Sequence, residues 1–175
     1  LRTAAGARSW RLIGLRFTTA TGGGDVISLG DGAERNAALV PNDITLDRVI
    51  IRGHATAGQK RAVALNSANT RILNSYIAGI RLAGQESQAI GGWNGPGPFV
   101  IENNSIEAAA IGIMFGGAVP AIDQLVPGDI TIRRNWFELV NAPGYETPPG
   151  DTGYTSPVFC QPTGQAPSNP RGTIR

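Results

Sequence analysis

Ile101-Glu102-Asn103-Asn104-Ser105-Ile106 is the stretch that decides the fold, because its alternation returns along the chain at near-constant spacing. Ahead of it stand Leu12-Ile13-Gly14-Leu15-Arg16-Phe17, Leu46-Asp47-Arg48-Val49-Ile50-Ile51 and Ile72-Leu73-Asn74-Ser75-Tyr76-Ile77. Behind it stands Ile132-Arg133-Arg134-Asn135-Trp136-Phe137. First residue to first residue, the steps are 34, 26, 29 and 31. A period of that size is too long for a heptad repeat and fits a solenoid of stacked coils.

Within each copy the inward residues stand two, then three, then two apart, as in Ile130, Ile132, Asn135 and Phe137. Period two is a strand; the step of three marks a bend at which the chain changes sheet. Each leading strand is answered by a second short apolar run: Val26-Ile27-Ser28-Leu29, Ala62-Val63-Ala64-Leu65-Asn66, Ala89-Ile90-Gly91-Gly92-Trp93 and Gly112-Ile113-Met114-Phe115-Gly116. One such coil cannot bury its own apolar face. Stacking equivalent coils about 4.8 Å apart joins the backbones in parallel ladders and sets like side chains on like.

The bend positions then read Leu15, Val49, Ser75, Asn104, Asn135 up the stack. An Asn there is expected to bond its amide to the same group one coil away and to a backbone carbonyl, so that no buried polar group goes unpartnered. The expectation is an all-β chain: a parallel β-helix of about five coils over residues 1–140, with an irregular Gly/Pro-rich tail or cap over 141–175. The tail holds seven prolines and one short strand signal, Pro157-Val158-Phe159. No cap is legible before Trp10, so both ends are expected to show apolar rungs unless the tail, another copy or further coils cover them.

Composition narrows the function classes. The chain of 175 residues carries 24 glycines and 12 prolines, which disfavours long surface helices. Its formal charge is +2, and Lys60 is the only lysine among scattered arginines, which does not argue for a nucleic-acid surface. No apolar run is long enough to span a membrane. The lone Cys160 offers no internal disulfide, the lone His54 has no second histidine for metal work, and the Gly22-Gly23-Gly24 corner lacks the helix and lysine of a phosphate loop.

The repeated Ile-x-x-Asn-x-Ile/Phe strands, with Ala62-Val63-Ala64-Leu65-Asn66-Ser67, resemble the right-handed parallel β-helices of the pectate-lyase-like superfamily. Three further stretches resemble, more narrowly, an uncharacterised bacterial group with a right-handed β-helix region: Gly84 to Ile90, Gly92-Trp93-Asn94-Gly95-Pro96-Gly97-Pro98-Phe99 and Val126-Pro127-Gly128-Asp129-Ile130. The resemblance spans roughly residues 9 to 140. It implies a right-handed helix and a setting outside the cell, since the superfamily holds secreted lyases and hydrolases as well as binding and surface proteins. Lyases of this kind hold calcium in acidic clusters and use an Arg or Lys base, but no residue here matches those roles one for one. The group runs on through further coils after its Arg-Arg-Asn-x-Phe strand, whereas this chain turns into the Pro-rich tail.

For a site, the excursions before the second strands gather the best chemistry. Trp93 offers a ring for a sugar face; Glu86, Gln85, Gln88, Asn94, Lys60 and Arg61 offer partners for hydroxyls. Trp93 has a second reading, as a lid over the apolar edge of the coils. The expected function is glycan binding along the side of the helix. Two alternatives stand beside it: a fragment of a polysaccharide lyase or glycoside hydrolase, using Glu86 and Glu102 as acid and base or calcium if a lyase, and a structural self-associating module. No catalytic residue is assigned. On the leading strands Glu102 and Arg133 share an outward column and are expected to pair, while Tyr76 and Trp136 form either a stacking strip or a shield.

Overall fold

The computed structural model describes residues 1–139, 156–160 and 172–174. Each coil is built from three strands. The first coil holds β1 (Arg8–Ile13), β2 (Arg16–Phe17) and β3 (Gly23–Leu29). The second holds β4 (Asn42–Asp47), β5 (Ile50–Arg52) and β6 (Gln59–Leu65), and the third β7 (Ala68–Leu73), β8 (Tyr76–Ile80) and β9 (Gln88–Gly92). The fourth holds β10 (Phe99–Glu102), β11 (Ser105–Ala108) and β12 (Ile111–Phe115). The fifth holds β13 (Ile130–Arg133), β14 (Trp136–Leu139) and β15 (Ser156–Cys160), and β16 (Gly172–Ile174) lies beyond it. Every strand pairs in parallel with the strand three further along, giving a first sheet β1-β4-β7-β10-β13-β16, a second β2-β5-β8-β11-β14 and a third β3-β6-β9-β12-β15. The chain is a parallel β-helix.

The two-three-two spacing has the structural meaning expected of it. Leu46, Ile72, Ile101 and Ile132 are in register on the first sheet and at most 2% exposed, in one apolar core. Ile51, Ile77 and Ile106 continue that core on the second sheet. Burying an aliphatic side chain of this size is worth about 1.5–3 kcal/mol, so each rung adds materially to a fold whose coils cannot stand alone.

The step of three is made by a single left-handed residue. Gly14, Arg48, Asn74, Asn103 and Arg134 all have φ between 51° and 68°. The turn swings the chain to the second sheet and drops the next side chain inward. There the amide ladder forms: Val49 N donates to Ser75 Oγ at 3.1 Å, Ser75 N to Asn104 Oδ1 at 2.9 Å, and Asn104 N to Asn135 Oδ1 at 3.0 Å. Asn104 Nδ2 also reaches Ile72 O and Asn135 Oδ1, and Asn135 Nδ2 reaches Ile101 O. A second, exposed ladder runs on the ridge, where Asn103 Nδ2 donates to Asn74 Oδ1 and Asn74 Nδ2 to Asp47 Oδ1, both at 2.8 Å.

The two ends of the stack differ. Two segments of the proline-rich tail join the sheets: β15 pairs with β12 and β16 with β13. The strand signal at Pro157 to Phe159 falls in β15, an edge strand, where a proline is tolerated because a missing N–H need not break the ladder. At the other end, residues 1–3 lie along β3: Ser28 N donates to Leu1 O at 2.9 Å and Thr3 N to Ser28 O at 3.0 Å. They leave the first rung open, and Trp10 and Leu15 are 58% and 45% exposed where their neighbours Ile44 and Val49 are 1%.

Candidate functional site

The outward face of the third sheet carries a polar cluster. Register places Asp25, Arg61 and Gln88 one above another on β3, β6 and β9. Arg61 Nη1 donates to Asp25 Oδ1 at 3.2 Å and Arg61 Nε to Gln88 Oε1 at 2.6 Å; Gln88 Nε2 then donates to Glu86 Oε1 at 2.7 Å. The Arg61 and Asp25 side chains are only 15% and 22% exposed. The guanidinium lies over the Trp93 ring, 5.0 Å from its centroid, a geometry worth about 0.5–2 kcal/mol according to how far it is desolvated.

Two glycines make this packing feasible. A Cβ on Gly91 would stand 2.8 Å from Gln88 Oε1 and 3.1 Å from Arg61 Nε, so the bare backbone lets the arginine lie flat. At Gly32 a Cβ would collide with the indole of Trp93. Trp93 is half-buried, with Gly32 and the guanidinium against it, and it borders a surface depression. That depression is about 80 Å³, bordered by Arg61, Gln88, Trp93, Met114 and residues 116–118.

Of the seven residues singled out from sequence, Arg61, Gln88, Glu86 and Trp93 come together. Asn94 does not join them. It is fully buried, its Nδ2 bonded to Glu34 O at 2.9 Å and its Oδ1 accepting from Ala121 N and Ile122 N, so it ties the third-sheet corners of the first, third and fourth coils together. Gln85 is exposed in the loop before β9, and Lys60 is half-buried on β6 outside the lining of the depression. Asp25, Gly91 and Met114 were not singled out. Asp25 was legible in principle: moving the start of the first coil's last strand one residue back from Val26 puts it in register with Arg61.

The remaining candidates lie elsewhere. Glu102 is on the first sheet, paired with Arg133 at 2.8 Å and Arg134 at 3.3 Å, while Glu86 belongs to the cluster on the third sheet; the two do not share a face as an acid and base pair would require. The Arg133 hydrogen bond holds the Glu102 carboxyl below its ordinary value, as the Asn74 hydrogen bond, helped by Arg48, does for Asp47. Among the described residues no three His, Cys, Asp or Glu side chains converge as metal ligands would. His54 Nδ1 accepts from Thr56 N and Ala57 N and so holds its own loop. Tyr76 and Trp136 share an outward column of the second sheet with Ile50 and Ser105, and Arg52 lies 5.3 Å from the Tyr76 centroid.

Comparison of the chain with family models, with curated proteins and with solved structures gives no match.

Proposed function

We propose that this β-helix binds carbohydrate on the outside of its third sheet, beside Arg61 and Trp93. The observation that carries the reading is the braced arginine. Held by Asp25, Gln88 and the indole, Arg61 keeps three of its five N–H donors for a ligand, with the Glu86 carboxylate as an acceptor nearby. Fixed donors and acceptors around a partly exposed aromatic ring suit sugar hydroxyls above an apolar sugar face, and prior bracing lowers the ordering cost of binding. The resemblance to pectate-lyase-like β-helices supports the same class of ligand and a location outside the cell or on its surface.

The lyase or hydrolase alternative has less behind it: among the described residues no three His, Cys, Asp or Glu side chains converge, and Glu86 and Glu102 lie on different sheets. A screen of neutral and acidic polysaccharides should find a ligand whose affinity falls at least roughly tenfold in Trp93→Ala and in Arg61→Gln, the loss of about 1.4 kcal/mol. Absence of binding across the screen, or binding indifferent to both substitutions, would sink the proposal. Incubation with uronate polymers and calcium, followed for the absorbance of an unsaturated product, checks the lyase alternative directly.

A further inference from the structure

The outward face of the second sheet carries a pattern that neither the stack nor the carbohydrate site uses. Register sets Arg16, Ile50, Tyr76, Ser105 and Trp136 in one outward column, one residue from each coil. Beside it, two residues further along the strands, stand Arg52 in the second coil, Glu107 in the fourth and Glu138 in the fifth. Trp136 is 70% exposed and so shields little of the rod, while Ile50 and Tyr76 are 40% and 37% exposed. The charges are sorted along the stack, with Arg16 and Arg52 in the first two coils and Glu107 and Glu138 in the fourth and fifth. None of the four forms a salt bridge among the described residues. The charges bordering the face are already engaged: Arg48 pairs with Asp47 and Arg134 with Glu102 on the ridge, and past the end of β8 Arg81 Nη2 donates to Ala55 O.

We infer that this face is a contact between two copies of the chain, packed face to face about a twofold axis that runs along the strands and passes over Tyr76. Such an axis reverses the stack, so the first coil of one copy meets the fifth of the other and the second meets the fourth. Arg16 then lies over Trp136 of the other copy, a cation on the aromatic ring that attracts one best, with Glu138 beside it. Arg52 meets Glu107 of the other copy, Ile50 meets Ser105, and the two Tyr76 rings lie at the axis. Every contact but the last is made twice.

Charge selects this sense of packing. Two copies stacked in the same direction would set basic coils against basic coils and acidic against acidic, whereas the reversed arrangement joins opposite signs. On the ridge, Arg48 and Arg134 fall opposite Asn103 and Gly14 of the other copy and meet no like charge. The strip is about five coils by four residues, roughly 24 Å by 13 Å, which is well below the ~800 Å² per partner of a standard stable interface, so the dimer is a weak one.

The test is sedimentation velocity of this chain over roughly 10 µM to 1 mM, the range in which a weak dimer forms and dissociates. Expected is a reversible monomer–dimer equilibrium that added salt weakens. Arg52→Glu alone and Glu107→Arg alone should each weaken it at least roughly tenfold, because each sets like charges opposite one another. Mixing the two variants should restore it, since both contacts of the mixed dimer again join opposite signs, and that recovery separates lost recognition from lost folding. Trp136→Ala should also weaken the dimer while leaving the urea midpoint unmoved, because the ring is 70% exposed. A chain monomeric throughout the range, association indifferent to Trp136→Ala, or two folded charge variants that fail to restore each other overturns the inference. So does a monomer in which Tyr76 and Trp136 bind a neutral oligosaccharide, which would assign the column to a ligand. The association outcomes do not depend on the carbohydrate reading, whose residues Arg61 and Trp93 belong to the third sheet and its corner.

Discussion

Replacing Asn104 with Ala removes three side-chain hydrogen bonds from the middle of the inner ladder. Asn104 is 2% exposed; its Oδ1 accepts from Ser75 N, and its Nδ2 donates to Ile72 O and to Asn135 Oδ1, each at 2.9 Å. Two of these are lost at about 1 kcal/mol net each. The third leaves the buried Ser75 N–H without its acceptor, at about 1–3 kcal/mol, so the total is about 3–5 kcal/mol. A fold of this size typically has only about 5–15 kcal/mol in hand. Urea unfolding followed by circular dichroism should show the midpoint fall at unchanged slope, or the transition split if the coils on either side uncouple. Asn104→Ser should cost less, because Ser75 shows a hydroxyl serving the same place: its Oγ accepts from Val49 N and donates to Leu73 O. A loss below about 1 kcal/mol in Asn104→Ala, or a serine variant as damaged as the alanine, would refute the claim that the ladder sustains the bend.

Three further outcomes follow from the geometry. Gly91→Ala should push Arg61 off Trp93 and so lose the cation–ring contact worth about 0.5–2 kcal/mol; the tryptophan emission should shift, carbohydrate affinity should fall, and the urea midpoint should drop by no more than that contact accounts for. Arg48→Gly relieves a left-handed conformation (φ 52°) that costs a side chain with a Cβ about 1–2 kcal/mol, and loses an exposed pair with Asp47 worth about 0–1, so stability measured by urea unfolding should rise by about 0–2 kcal/mol. Asp47 and Glu102 have carboxyls held below their ordinary values by Asn74 and Arg133, so their contribution is complete above the unfolded-state carboxylate range near pH 4 and is lost as pH falls through the lower folded-state values. Asp47→Asn with Glu102→Gln should accordingly flatten the acid limb of a plot of urea midpoint against pH.

The leading strands were readable because their inward residues are chosen by one repeated environment. Ile101 and Ile132 meet the same neighbours above and below, so the pattern survives changes in the loops between them. The corners were less readable. The left-handed turn asks for Gly or Asn, which stand at Gly14, Asn74 and Asn103, but Arg48 and Arg134 occupy the other two places and hide the rule. Trp93 shows a different obstacle. Its contact with Gly32 joins residues from different coils, and the local alternation around either one carries no trace of it.

The same contrast explains why the candidate site is on the third sheet. Between the first and second sheets the chain passes in two residues, Gly14-Leu15 or Asn103-Asn104, and an inner amide or hydroxyl must serve the coil beside it; little there can vary. Between the second and third sheets the connection runs from residues 109–110 in the fourth coil to 53–58 and 81–87 in the second and third. Sequence freed from the ladder collects in those connections, and Glu86, at the end of one, reaches Gln88 on the strand that follows. Outward residues at the start of the third-sheet strands are therefore the ones that can differ from coil to coil without breaking the stack. Asp25, Arg61, Gln88 and Ile111 occupy one column with four different chemistries, whereas Ile27, Val63, Ile90 and Ile113 behind it are all aliphatic. Selection for a ligand can act on the first column while the second keeps the coils in register, so exchanging Arg61 should alter recognition far more than stability, and exchanging Val63 for a polar residue should do the reverse.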